Sequence, residues 1–92
     1  MQSPAMSVIH NTTLCRFELR IESHLALLEY SHLGGQRVSF DHTEVPDALR
    51  GRGVGVKLVE AALDEARKQG WQVEPRCSFV AHYLQKHPEA AR

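Results

Sequence analysis

Apolar and polar residues alternate in the first third of the chain. Between residues 15 and 22 every second residue is apolar and those between are charged. A period of two is typical of a strand with one buried face, so we predict a strand here. Its apolar face would carry Cys15, Phe17, Leu19 and Ile21. A second strand-like run extends from Leu25 to Leu33, with Ala26, Leu28 and Tyr30 on one face.

The second run leads into Gly34-Gly35, after which Arg37-Val38-Ser39-Phe40 is again strand-like. Two such runs joined by Gly-Gly predict a hairpin with a primed turn. The third strand should continue through Val45 and end at Pro46, which has no N–H to give to a ladder. Up to this point we expect an antiparallel sheet.

The period changes to three and four residues after residue 53. Residues 54–69 are rich in strong helix formers, and Gly70 is a typical C-terminal stop. Along one face of this predicted helix recur the apolar residues Val59, Ala62, Leu63 and Ala66, with Leu58 and Gly55 at its edge. That spacing predicts a helix with this face in the core.

A short strand, Trp71 to Glu74, and a last helix, Phe79 to His87, follow the long helix. Pro75 and Pro88 would end them. A strand–helix–strand crossover places its two strands in parallel. We therefore predict an α+β fold: an antiparallel sheet with a β–α–β unit and a C-terminal helix.

The composition bounds the class of protein. With 92 residues, the chain is long enough for one domain, which we place at 13–92 behind a flexible leader at 1–12. Its net charge of zero gives no support for binding to nucleic acid or membrane surfaces. The N-terminus lacks the pattern of a secretory signal, and Cys15 and Cys77 lie far apart. We therefore expect a cytoplasmic protein with free thiols.

The segment Arg50-Gly51-Arg52-Gly53-Val54-Gly55 lies between a predicted strand and a helix. The N-terminus of a helix offers unpaired N–H groups and partial positive charge, and glycines let an anion approach the backbone closely. Arg50, Arg52 and Lys57 add cationic donors. The loop therefore favours a phosphate ligand.

Two common phosphate loops do not fit this segment. A Walker loop needs Lys directly after its last glycine and then Ser or Thr, whereas Lys57 follows Gly55 by two and precedes Leu58. A dinucleotide fingerprint needs a different glycine spacing from that of Gly51, Gly53 and Gly55. The segment does match a third pattern, R-x-x-G-x-G, with Arg50 as its arginine and Gly53 and Gly55 as its glycines. A helix start that binds nothing is the alternative.

Several landmarks occur in one order along the chain: His42-Thr43-Glu44-Val45-Pro46, the glycine loop, Leu58-Val59, Pro75-x-Cys77 and His87-Pro88-Glu89. Together, over residues 14 to 90, they resemble the small YjdJ-type branch of the GNAT acyltransferase superfamily. The resemblance implies a minimal GNAT fold and a site for acetyl-CoA or CoA. It assigns coenzyme binding to Val45, Arg50, Gly51, Arg52, Gly53, Val54, Gly55 and Lys57.

The same resemblance implies an open acceptor site. Larger GNAT proteins have two helices after the first strand that wall the acceptor, whereas only Ser23-His24 separates the first two predicted strands here. The acceptor is an amine that the sequence does not identify.

Four residues are candidates for chemistry. Cys77 should lie at the start of the last helix beside Arg76, where a thiol pKa falls, and could serve as base or as acyl-carrying nucleophile. His42 and Glu44 share a strand face, and either could take a proton from an amine. In GNAT enzymes a tyrosine on the last helix often protonates the leaving thiolate, and Tyr83 resembles it in position. The Gly-Phe pair that usually follows is absent.

Each candidate has a plain structural alternative. Cys77 could be a packed thiol, Tyr83 a packing aromatic, and the pair of His42 and Glu44 a brace for the strand end. No pair of histidines has ligand spacing, so we predict no metal site. The sequence thus predicts an acetyl-CoA-dependent N-acetyltransferase. A CoA-binding module without catalysis and a plain interaction domain are the alternatives.

Overall fold

The computed structural model describes residues 7–91 of the chain. Five strands form one sheet in the order β1-β2-β3-β4-β5. They are β1 Val8–Asn11, β2 Arg16–Ile21, β3 His24–Gly34, β4 Arg37–Glu44 and β5 Gln72–Pro75. The helices are α1 Val54–Gln69 and α2 Ser78–Lys86, with short 3₁₀ turns at Asp47–Leu49 and Pro88–Ala91. Strands β1 to β4 pair in antiparallel fashion, whereas β4 and β5 are parallel, so the predicted α+β class is confirmed.

The core lies on one face of the sheet. Helix α1 packs against β1, β2 and β3, and α2 packs against β4 and β5. The predicted apolar face of α1 is buried in full, as are Phe17, Leu19, Ile21, Ala26, Leu28 and Tyr30 from the strands. The alternation and the helical period therefore identified the core. Within residues 7–91, no helix has the length and apolar composition to cross a membrane.

The prediction of a leader over residues 1–12 is wrong for its last part. Residues 8–11 form β1, which pairs with β2 through Val8↔Leu19 and His10↔Phe17. Residues 1–6 of the predicted leader lie outside the described residues. His10 explains why the segment is ordered, because its ring stacks on Phe17 at 4.3 Å and its Nε2 lies 2.6 Å from the Tyr30 hydroxyl.

Two turns also differ in detail from the predictions. Cys15 is not in the ladder of β2: it lies in the turn before it with φ 53°, although it still packs against the core. The hairpin between β3 and β4 is confirmed, but its loop is Gly35-Gln36, since Gly34 still pairs with Arg37. Gly35 has φ 57°, the positive value that the first position of a primed turn requires.

A bulge interrupts β4 at Asp41. Tyr30 pairs with Phe40 and Glu29 with His42, so Asp41 has no partner on β3. The Asp41 carboxylate accepts hydrogen bonds from Ser39, at 2.6 Å, and from Ser31, which holds the extra residue in place. A bulge bends its strand. Just there β5 stops following β4, because their pairing ends at Phe40↔Pro75.

Candidate functional site

A cavity of about 490 Å³ opens where β4 and β5 part. The end of β4, the glycine loop, the first turn of α1 and the first turn of α2 enclose it. This volume lies in the range of small-molecule sites. Its lining residues are Thr43, Val45, Leu49, Arg50, Gly51, Gly53, Val54, Gly55, Val56 and Phe79.

The glycine loop brings the N-terminus of α1 to this cavity. Gly51 and Gly53 have φ 78° and 73°, which residues with a side chain rarely adopt. The first bond inside α1 runs from the Lys57 N–H to the Gly53 carbonyl at 3.1 Å. The N–H groups of residues 54–56 therefore have no partner within the helix, and these residues line the cavity. With no acidic residue in the first turn, this helix end attracts an anion.

Gly55 has a different role from the glycines before it. A Cβ placed there would lie 2.7 Å from Cζ of Phe79. The missing side chain therefore lets α2 approach α1 closely. Phe79 remains 40% exposed and forms an apolar rim with Val56, also 40% exposed. Sequence reasoning missed both rim residues, because it assigned Phe79 only to a helix start.

The three predicted cations occupy different places. Arg50 lines the cavity, and its Nε lies 3.2 Å from the Asp47 carboxylate in an exposed pair. Arg52 is exposed and does not line the cavity. Lys57 borders a separate surface hollow together with Glu60 and Asp64. Of the predicted coenzyme set, the cavity thus gathers Val45, Arg50, Gly51, Gly53, Val54 and Gly55.

Thr43 is the polar wall residue that the sequence reasoning did not single out. A regular strand would place His42 and Glu44 on the core face with Val38 and Phe40. The bulge at Asp41 reverses this, so that Thr43 faces the cavity. His42 and Glu44 share a face as predicted, but it is the exposed one, with their side chains 3.7 Å apart. The structure does not bring them to the cavity.

Cys77 contacts Thr43 but does not itself line the cavity. It is the N-cap of α2, its side chain is buried, and its Sγ forms a hydrogen bond with Thr43 Oγ1 at 3.3 Å. Burial alone would raise the pKa of Cys77. Hydrogen bonds from the Thr43 hydroxyl and from backbone N–H groups of Val80 and Phe79 outweigh it, so the pKa lies below its usual value.

The expected contribution of Arg76 to this thiol is not found. Its guanidinium instead donates to the Glu74 carboxylate at 3.2 Å. The Thr43 hydroxyl and the backbone N–H groups of Val80 and Phe79 therefore account for the lowered pKa of Cys77.

Tyr83 lies one turn beyond Phe79 in α2 and does not line the cavity. Its hydroxyl donates to Glu60 Oε2 at 3.5 Å and its ring packs on His87 with centroids 4.5 Å apart. Burial, and then the negative charge of Glu60, raise the pKa of Tyr83. Among the residues that the structure describes, no three His, Cys, Asp or Glu side chains gather as metal ligands would.

Comparison with known proteins accords with this geometry. The family model of the GCN5-related N-acetyl-transferases matches residues 16–92. Protein NATD1 of Mus musculus is 33% identical over 89 residues, covering 95% of this chain and 81% of its own. The Xenopus tropicalis NATD1 is 32% identical over 88 residues, covering 94% and 81%.

A solved structure adds the three-dimensional match. The solution structure of a GCN5-like protein from Staphylococcus aureus superposes with a TM-score of 0.74 at 28% identity, covering 96% of this chain and 86% of that one. The fold predicted from the resemblance is thereby confirmed. The chain belongs to the family of GCN5-related N-acetyltransferases.

Proposed function

We propose that the protein binds acetyl-CoA in the cavity between β4, α1 and α2 and transfers the acetyl group to an amine. The observation that carries the proposal is the N-terminus of α1. Its N–H groups open onto a cavity whose floor, at Gly51 and Gly53, has no side chain. A pyrophosphate fits such a helix end, and the apolar rim of Val56 and Phe79 suits a pantetheine arm.

The reaction needs little more than positioning and one proton transfer. The amine nitrogen attacks the thioester carbonyl, the C–N bond forms, and the C–S bond breaks as CoA thiolate leaves. The nitrogen must lose a proton, for which a base within reach of the cavity is required. Besides the cationic Arg50, Thr43 is the lining residue with a polar side chain, and it is hydrogen-bonded to Cys77, whereas His42, Glu44 and Tyr83 do not line the cavity.

The alternative is a CoA-binding module without catalysis. It is favoured by the open sheet face, because both helices pack on the other side. The connections β1–β2 and β2–β3 are short turns, so no helix walls an acceptor between residues 11 and 24. In either case the free thiols of Cys15 and Cys77 accord with a cytoplasmic location, which is part of the proposal.

Ligand-induced stabilisation tests coenzyme binding. At a hundredfold excess over Kd, CoA should add about 2.7 kcal/mol to the free energy of unfolding. For a domain of this size the melting temperature should rise by roughly 10–20 °C. Pantetheine, which lacks the pyrophosphate, should stabilise much less. A melting temperature that millimolar CoA leaves unchanged would refute coenzyme binding and both functions with it.

A second assay separates the two functions. Peptides, polyamines and small amines are incubated with acetyl-CoA, and the released CoA thiol is measured. Amine-dependent release by the folded, CoA-stabilised protein supports the transferase. Stabilisation by CoA with no release for any amine supports the binding module.

A further inference from the structure

We propose that Thr43 relays a proton from the acceptor amine to Cys77, so that a hydroxyl on the cavity wall connects the reacting atoms with a buried sulfur. This inference rests on the proposed acetyl transfer and names the group that takes the proton. Neither the family match nor the sequence pattern singles out Thr43.

The first support is that the two side chains occupy successive layers. Thr43 lines the cavity, whereas Cys77, only 9% exposed, does not. Their Oγ1 and Sγ atoms are 3.3 Å apart, within hydrogen-bonding range for sulfur. A proton that leaves the cavity toward Cys77 therefore meets the Thr43 hydroxyl first.

The second support is that the backbone fixes this contact. The Cys77 N–H donates to the Phe40 carbonyl at 2.9 Å, which ties the start of α2 to β4. The Cys77 carbonyl accepts from Ala81 N–H at 3.0 Å within the helix. Thr43 is held by the β3–β4 ladder through its pairing with Leu28. Both residues sit on rigid elements, as a proton path requires.

The third support is the surroundings of the thiol. The groups that stabilise its thiolate are neutral donors: the Thr43 hydroxyl and the N–H groups of Phe79 and Val80. The nearest cation along the chain, Arg76, is bonded to Glu74. Because these donors are neutral, protonation of the sulfur leaves no adjacent cation unpaired.

The position of the Cys77 sulfur also favours a proton relay over covalent catalysis. To carry the acetyl group, Sγ would have to reach the thioester carbonyl carbon, whereas Sγ is buried and only its hydrogen-bond partner Thr43 lines the cavity. A proton needs no such displacement, because the hydroxyl accepts one proton while it donates its own. The geometry thus favours the role of Cys77 as base over its role as nucleophile.

The steps balance without any further reactant. As the amine nitrogen bonds to the carbonyl carbon, its proton passes to Thr43 Oγ1 and the proton of Thr43 passes to Cys77 Sγ. Collapse of the tetrahedral adduct breaks the C–S bond and leaves CoA as thiolate. The proton then returns from Cys77 through Thr43 to that thiolate. The products are the amide and CoA thiol, and Cys77 is again a thiolate.

The test compares Thr43→Val, Thr43→Ser and Cys77→Ala with Thr13→Val, a matched change in the exposed β1–β2 turn. Thr43→Val and Cys77→Ala should each lower kcat by ~10²-fold, the scale of a lost acid–base group. Thr43→Ser keeps the hydroxyl and should retain most of the turnover. CoA-induced stabilisation should persist in all four variants. The double variant Thr43→Val/Cys77→Ala should be no slower than either single variant.

Two readouts exclude a merely structural role. The acid limb of the kcat–pH profile should disappear in Thr43→Val and persist in Thr43→Ser. Full activity of Thr43→Val, or losses that multiply in the double variant, would overturn the relay and leave the transferase intact. An acetyl mass on Cys77 after incubation with acetyl-CoA alone would also overturn it, in favour of a nucleophile. A wild type that binds CoA but acetylates no amine would refute the transferase itself, and the relay with it.

Discussion

Phe79 rests against Gly55, so that a methyl group on Gly55 would lie 2.7 Å from Cζ of the ring. This contact fixes the spacing of α1 and α2 at the mouth of the cavity. It also means that the last glycine of the loop serves helix packing, while Gly51 and Gly53 with their positive φ angles shape the floor.

A double-mutant cycle measures this contact. In a Phe79→Ala background, Gly55→Ala should raise the free energy of unfolding by about 0.5–1 kcal/mol, because alanine is the better helix former. With Phe79 present, the same change should bring less or none of this gain, because the ring must move. Urea unfolding gives both values. Equal effects in the two backgrounds would show that the ring yields without cost.

Gly53 and Gly35 provide a matched pair for testing the proposed coenzyme site. Both have positive φ, 73° and 57°, and a Cβ at either meets nothing within 4 Å. Alanine at each should therefore cost a similar amount of stability, about 1–2 kcal/mol. Only Gly53→Ala should also weaken CoA binding, by about tenfold or 1.4 kcal/mol, since the methyl group would hold the pyrophosphate off the helix end.

Calorimetry with CoA distinguishes the two glycine variants. Unchanged affinity in a folded Gly53→Ala protein would place the pyrophosphate elsewhere. Equal losses of affinity in both variants would instead point to a general effect of lowered stability.

Glu22 offers a gain in stability. It has φ 58° in the turn between β2 and β3, an arrangement unfavourable for a residue with a side chain. Glu22→Gly should stabilise the protein by about 1 kcal/mol and raise the melting temperature by roughly 4–8 °C. Glu22→Ala is the control, because it removes the carboxylate but keeps the strain. A gain in the alanine variant as large as in the glycine variant would assign the effect to charge.

The lowered pKa of Cys77 predicts a pH dependence of stability. Because the native thiol loses its proton at a lower pH than the unfolded one, the unfolded state binds more protons between the two pKa values. The free energy of unfolding should therefore rise with pH across that window, and this contribution is lost as the pH falls through the native pKa. Urea titrations in a Cys15→Ser background measure it, and Cys77→Ser should abolish the slope. A slope that survives this change belongs to another group.

Most of the fold could be predicted because its signals are local. The alternation from Phe17 to Ile21 and the helical period of α1 report burial directly, and Gly70 ends α1 as expected. The strand β1 was not predicted because Val8–Asn11 shows no alternation of apolar and polar residues. Its order comes from contacts of His10 with Phe17 and Tyr30, far away in sequence. The YjdJ-type branch stays a prediction.

The lining of the cavity could be predicted where it depends on the backbone and not where it depends on strand register. The glycine loop needs only its own residues to begin a helix. Thr43 reaches the cavity wall because of the bulge. The sequence did carry a signal for the bulge. Val38 and Phe40 face the core with even numbers, whereas Val45, which also packs against the core, has an odd number, so the alternation must shift by one residue between them. Lys57 lies outside the lining of the cavity because it shares a helix face with Glu60 and Asp64, which the helical period could have shown.

Between Phe40 and Glu44, Asp41 makes β4 one residue longer than the segment of β3 from Leu27 to Tyr30 with which it pairs. A straight ladder cannot accommodate this extra residue, so β4 bends at the point where its pairing with β5 ends. The cavity therefore opens because these paired segments of β3 and β4 differ in length, and not because of any side chain on its wall. Substitutions along β4 alter the chemistry of the wall and keep the mismatch. Deletion of Asp41 would keep every wall residue in register with β3 and remove the mismatch, so that the gap beside α2 would narrow.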